Sequence, residues 1–211
     1  MKKIIVVGAG ATAKEVVSLI ERQNRAGADW QIMGLLCDDI HALDGSDYRY
    51  NIIGTIKDYI PADDEQFALA IAMPKAKVRL VPGLLERGFK FVTLIDPSVE
   101  VPETTTIGEG TIVSGYTIGE DCRIGNFVNI LGSMIGLNST IGDYSTTTGY
   151  TNVASAFIGS RVFIGSHAVI LNNIKVGDDT TIGAGCVIYR NIGVGKVAFC
   201  SRPNIVDDPD C

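Results

Sequence analysis

The stretch VASAFIGSRVFIGSHAVILNNIKVGDDTTIGAGCVI, residues 153–188, decides the fold. Ile158, Ile164, Ile170, Val176, Ile182 and Ile188 succeed one another at steps of six, and glycine follows most of them. Repetition at so short a period marks a solenoid, in which each repeat buries its aliphatic residue only by stacking on the next. Steps of six predict a triangular prism with three short strands and three turns per coil. The aliphatic residue points inward, and glycine or a small polar residue turns the corner.

Working outward, the spacing refines this prism. Ile107, Ile124, Ile141 and Ile158 lie 17 apart, one short of three hexapeptides, and Gly115, Gly132 and Gly149 share that spacing. Each of these coils is therefore expected to lose its residue at one stacked corner, and the step from Ile158 to Val176 returns to 18. On the same count Tyr116, Ser133, Tyr150 and His167 form a column beside the glycines, and Asp121, Asn138 and Ser155 form a second. Both columns are expected on the outside. Thr147 and Asn152 occupy positions where aliphatic residues are expected, so the register blurs there.

Upstream the pattern changes. KKIIVVG reads as a strand buried on both faces, followed by a helix carrying Val16, Val17, Leu19 and Ile20 on one side. QIMGLLCDD, FALAIAM and FVTLID read as further strands, with a helix in KVRLVPGLLERG that starts or breaks near Pro82. Alternating strands and helices predict a parallel sheet. The turn GAGATA sets Gly8, Gly10 and Ala13 at G-x-G-x-x-A spacing, where a phosphate can approach the helix N-terminus. Asp38 and Asp39 end the second strand, a place for a ribose contact. Fewer than 100 residues precede the repeat, so only one half of a dinucleotide fold fits, and a mononucleotide or a nucleotide sugar suits it better than NAD. The division expected is an α/β Rossmann-like unit over 1–97 and a solenoid over 98–211.

Composition sets the outer bounds. A net charge of −6 argues against a nucleic-acid partner, which needs a basic face. The five cysteines are dispersed, with no C-x-x-C pair, as expected of free thiols in a reducing cytoplasm. No run is long enough for a membrane helix, so no membrane insertion is expected. No metal is expected either.

Taken together, GAGATAKEVV, TLIDPSVEVPETTTIGEGTIV and the hexapeptides resemble the bacterial sugar acetyltransferases of the sialic acid O-acetyltransferase type (NeuD/PglD-like). The resemblance spans nearly the whole chain. It implies a left-handed parallel β-helix, a homotrimer with active sites between subunits, acetyl-CoA as co-substrate, and a nucleotide-linked amino sugar as acceptor in surface-glycan synthesis. It places substrate at Gly8, Gly10, Ala11, Thr12, Asp38, Asp39 and the end of the third strand near Ala72 and Met73. Donor contacts fall on the terminal coils, at Gly165, Gly183, Arg190, Lys196 and Arg202, with Lys175 in the same cationic cluster.

The departures are informative. Ala11 and Thr12 stand where the family usually has glycine and histidine, and CSRPNI replaces the usual closing glycine–x–proline–alanine. The family's catalytic His-Asp pair falls on Leu137-Asn138 by coil counting, or on Glu120-Asp121 by local similarity to IGEDC. Neither leaves a histidine. Of the two histidines, His41 reads as loop surface, while His167 and Glu120 are the candidate bases. Cys122 serves as a nucleophile only if its thiolate is stabilised. Two readings follow: an acetyl-CoA-dependent sugar transferase that favours amine acceptors, or a catalytically silent trimer that binds nucleotide sugar and CoA.

Overall fold

The computed structural model describes residues 1–200. Strand β1 (Lys2–Val7) leads through Gly8 into α1 (Ala11–Arg25), then β2 (Trp30–Leu36), β3 (Ile52–Gly54), β4 (Glu65–Leu69) and α2 (Pro74–Glu86). The four strands form one parallel sheet in the order β3-β2-β1-β4. β3 is a short edge strand that the sequence pattern does not reveal.

Two expectations for this unit change. Helix α2 starts on Pro74 and runs unbroken through Pro82. Pro74 loses nothing at a first-turn position, while burial of Val81 and Leu84 offsets the hydrogen bond that Pro82 forfeits. FVTLID is not a fourth strand of this sheet. Phe91 makes a single parallel bridge to Phe67, and the next strand, β5 (Leu94–Ile95), already pairs with Ile112 and Val113 of the solenoid. The chain changes sheet within those few residues.

From there it winds as a left-handed parallel β-helix with three faces. The first face carries Ile112–Ser114, Asn129–Leu131, Thr146–Thr147, Phe163–Ile164, Thr181–Ile182 and Val197–Ala198, with β5 at its end. The second carries Thr117–Ile118, Met134–Ile135, Asn152–Val153, Val169–Ile170 and Val187–Ile188. The third carries Thr106–Ile107, Arg123–Ile124, Thr140–Ile141, Phe157–Ile158 and Lys175–Val176. One residue per strand points in, such as Ile118, Ile135, Val153 and Ile170, and together they fill the prism. Each such side chain contributes about 1.5–3 kcal/mol by leaving water. At the corners, residues with positive φ recur, among them Tyr116, Tyr150 and His167, and Asp121, Asn138 and Ser155.

The 17-residue step is present, but the missing residue does not stay at one corner. The first face pairs Ile130 with Thr147, the second pairs Ile135 with Val153, and the third pairs Ile141 with Ile158. The short corner thus lies between the first and second faces at Gly115 and Gly132. In the coil passing Gly149 it moves to the second-to-third corner, at Ala154–Ala156. The residue regained is Tyr150, whose N–H donates to the Gly132 carbonyl at 2.6 Å. Ser133 consequently leaves the outer column: it is fully buried and its hydroxyl bonds the Thr148 carbonyl at 3.1 Å. The register at Thr147 is plain, since it points inward, fully buried, with no partner for its hydroxyl.

The α/β unit lies on the first face. Val16, Val17 and Ile20 of α1 share a cluster with Leu94, Ile112 and Leu131, and Val81 and Leu84 of α2 share one with Phe91 and Phe127. Polar bonds lock the seam. Lys77, wholly buried, donates to the carbonyls of Phe127 (2.8 Å) and Ser145 (3.0 Å) and to the Thr146 hydroxyl (3.0 Å). Thr146 donates to the Ala72 carbonyl at 2.6 Å, and Asn129 Nδ2 to that of Ile71 at 2.9 Å. Burial pushes the Lys77 pKa well down. Its three acceptors together require three N–H groups, one more than a neutral amine carries, so this bonding pattern is that of the ammonium form.

Candidate functional site

Where α1 and the end of β4 meet the solenoid, a cavity of about 520 Å³ opens. Its upper wall is Ala11, Thr12 and Glu15 of α1 with Ala72 and Met73, and its lower wall is the corner bearing Tyr116, Gly132, Gly149 and Tyr150. The position follows from the sequence. Gly8 has φ +124°, and a Cβ there would lie 2.8 Å from the Ala70 carbonyl oxygen, so only glycine lets β1 turn into α1 beside β4. Gly10 caps α1 without a side-chain hydrogen bond and faces open space. Ala11 and Glu15, four apart, share the helix face that looks at the solenoid.

The lower wall is aromatic for an equally local reason. Gly132 has no side chain, so the rings of Tyr116 and Tyr150 meet across it at 5.6 Å, and the His167 ring lies 5.0 Å beyond Tyr150. Tyr116 is 51% exposed and Tyr150 64%, so both rings of this tilted pair are open to solvent where they line the cavity. Glu15 is half-buried, and its desolvation pushes the carboxyl pKa up, with Arg22 pulling partly against it.

The residues expected from sequence distribute over several places. Ala11, Thr12, Ala72 and Met73 converge on this cavity. Asp38 instead borders a separate hollow of about 260 Å³ with Lys57, Arg79 and Arg87, and accepts the Lys57 N–H. Asp39 accepts the His41 N–H on the surface, and His41 bonds Asp44 at 2.7 Å. Glu120-Asp121 and Leu137-Asn138 prove to be one corner seen twice: the Asn138 N–H donates to the Glu120 carbonyl, one coil apart. That corner joins the second and third faces, whereas His167 sits between the first and second. Glu120, Leu137 and His167 are all exposed.

Cys122 is fully buried, donates to the Gly136 carbonyl, and has its pKa raised chiefly by desolvation, the wrong direction for a nucleophile. Arg190 and Lys196 line a third cavity, about 690 Å³, with Tyr189 and Phe199 at the last coil. Gly165 and Gly183 line none of these; a Cβ on Gly165 would strike the next coil at Ala184 N, 2.6 Å away. Lys175 borders a shallow cavity with Asn138 and Ser155. Arg202 lies outside the described residues. Among the described residues no group of His, Cys, Asp and Glu is arranged to hold a metal, and no helix is long and apolar enough to cross a membrane.

Sequence reasoning missed Glu15. Its signal was present, four residues after Ala11 on a helix leaving the glycine turn, but which helix face looks at the solenoid depends on how the two units dock.

Comparison with known proteins agrees with this architecture. The PglD N-terminal domain model matches residues 3–82, and the bacterial transferase hexapeptide (six repeats) model matches residues 155–190. In structure the chain is similar to the acetyltransferase domain of PglB from Neisseria gonorrhoeae (TM-score 0.84, 21% identity, 95% of this chain and 97% of that one). It is also similar to a mutant perosamine N-acetyltransferase from Caulobacter crescentus, solved with CoA and GDP-perosamine (TM-score 0.82, 21% identity, 98% and 97%). At these identities the likeness concerns the fold. Among curated relatives, the bifunctional protein GlmU of Neisseria meningitidis is 33% identical over 106 residues, and the aligned part is 21% of its length. The two domain models thus fall in this order on one chain, a PglD N-terminal domain followed by bacterial transferase hexapeptide repeats, on the fold of the PglB and perosamine acetyltransferase structures.

Proposed function

We propose that the protein is an acetyl-CoA-dependent acetyltransferase acting on a nucleotide-linked amino sugar, in cytoplasmic steps of surface-glycan synthesis. The observation that carries this is the cavity between the glycine turn and the Tyr116–Tyr150 corner, which joins the two units at one acceptor-sized space. The structural relatives point the same way: one was solved with CoA and GDP-perosamine, another with acetyl coenzyme A. Residues 1–97 would hold the nucleotide sugar and the solenoid from residue 98 the acyl donor. Arg190 and Lys196, at the terminal cavity, supply positive charge for the phosphates of CoA.

The chemistry asks for little. The acceptor nitrogen attacks the thioester carbonyl, backbone N–H groups take up the oxyanion, and the thiolate departs. A neutral amine does this more readily than a hydroxyl, which must lose its proton as it attacks. With no histidine at the second-to-third corner, the amine is the favoured acceptor.

A homotrimer fits the second face. Its outward residues include Met134, Val169 and Val187, none of its strands carries a charge, and Leu137 and Tyr189 stand exposed beside it. Thr117 and Asn152 complete this uncharged, partly apolar face, and a second copy supplies the same surface to cover it.

The deciding experiment is a thiol-release assay with acetyl-CoA over a set of UDP-, GDP- and dTDP-linked amino sugars. Acceptor-dependent CoA release with an N-acetylated product is expected. The silent-binder reading draws on Leu137-Asn138 and Glu120-Asp121 standing where relatives carry His-Asp. Calorimetric binding of acetyl-CoA and nucleotide sugar without turnover would establish it, and no binding of either ligand would sink both.

A further inference from the structure

We propose that Glu15 is the general base of this transfer, taking the acceptor's proton in place of the histidine that the solenoid corner lacks. The role rests on the transferase reading above. Three half-buried glutamates can be compared in the α/β unit. Glu21 accepts from Arg49 and from the Tyr50 hydroxyl. Glu65 accepts from the Tyr59 hydroxyl and the Ala62 N–H. Glu15 alone of the three has no hydrogen bond or ion pair among the described residues, and it alone lines the cavity. A carboxylate taken partly out of water without a partner is unfavourable to keep, and such groups concentrate where a ligand supplies the partner.

The surroundings suit a proton acceptor. No cation lines the cavity, so nothing there neutralises Glu15 at contact distance. The only other titratable side chains in the lining are the two tyrosines, which are too weakly acidic to act as bases at neutral pH while protonated. The His167 ring lies tilted against that of Tyr150 and is not part of the lining. Desolvation raises the Glu15 pKa above the ordinary carboxylate value, with Arg22 pulling partly against it, and a higher pKa makes the carboxylate a better base.

The step balances without a further reagent. The acceptor nitrogen's lone pair forms the new bond to the thioester carbonyl carbon. The nitrogen's proton passes to a Glu15 carboxylate oxygen, the carbon–sulfur bond breaks, and the proton is passed on to the departing thiolate. Amine and thioester become amide and thiol, and the carboxylate is regenerated.

The test compares wild type with Glu15→Gln and Glu15→Asp in the thiol-release assay across pH 5 to 9. Glu15→Gln keeps size and polarity at a half-exposed position, and its thermal midpoint should match wild type. Its kcat should fall by about 100-fold or more, with KM within about threefold, as for loss of a general base. The acid limb of the wild-type kcat profile should vanish in Glu15→Gln and persist in Glu15→Asp at an intermediate rate. A Glu15→Gln enzyme with wild-type kcat, or with the acid limb intact, overturns the assignment while the transferase reading stands. Wild-type protein that turns over no acceptor overturns both.

Discussion

Set the first face of the prism beside the second. Both are built from the same hexapeptides, and both send aliphatic or isosteric residues inward in register. Outward they diverge. Ile112, Asn129 and Thr146 on the first face are fully buried under α1 and α2, and buried polar atoms bond across the seam. Thr117, Met134 and Val187 on the second face are exposed, without a charge or a buried polar bond between them. The repeat therefore specifies only the inward half of each strand. The outward half is free to specialise: polar bonds lock the first face to the α/β unit, while the second face stays uncharged and exposed, the surface proposed above for a second copy.

The sharpest way to break that contrast is Lys77→Met. It fills the volume but strands the Phe127 and Ser145 carbonyls and leaves the Thr146 hydroxyl only its Ala72 bond, so the protein should lose about 3–5 kcal/mol, read as a lower urea midpoint. A loss under about 1 kcal/mol would mean that the seam holds by apolar contact alone. On the second face, Met134→Lys should leave the urea midpoint of the isolated subunit within about 0.5 kcal/mol, as for an exposed site. It should weaken trimer association by about 100-fold in sedimentation, since it buries an unpaired charge between copies. Unchanged association would remove this face from the interface.

Asp96 tests the seam by pH. Burial alone would raise its pKa, but the Ser98 N–H and hydroxyl and the Arg22 guanidinium together hold it below the usual range. A carboxylate with a depressed folded pKa contributes stability above its unfolded value, near 4, and loses it as pH falls through the folded value. Asp96→Asn should therefore cost about 1.5–3 kcal/mol at pH 7, with the difference from wild type flat above about pH 5 and shrinking below about pH 4. The smallest effect is a gain. Thr147→Val removes a buried hydroxyl without a partner and should stabilise by about 1 kcal/mol, in line with the inward positions around it.

Much of the fold was legible because its signals are periodic. The 17- and 18-residue pairings of Ile107, Ile124, Ile141, Ile158 and Val176 are those the spacing predicts. The corner that loses the residue was not, since counting from one aliphatic position to the next coil cannot say which turn is short. FVTLID has strand composition throughout, but composition cannot tell which sheet a strand joins. The candidate site was legible only in part. Ala11, Thr12, Ala72 and Met73 flank turns whose chemistry is local, and they converge. Asp38 and Glu15 depend on docking angles: one turned away from the cavity, and the other turned toward it unannounced.

The wandering corner has a consequence for recombination. Segments 107–123 and 141–157 are equal in length, yet the first closes its coil at the Gly115 edge and the second at the Ala154–Ala156 edge. Exchanging one for the other would keep every downstream residue number and still carry the second-face strand of that coil one residue out of phase with its neighbours. The coils are thus not interchangeable beads. Each carries an address along the prism, and the gene can be lengthened or shuffled only at joints where the addresses agree.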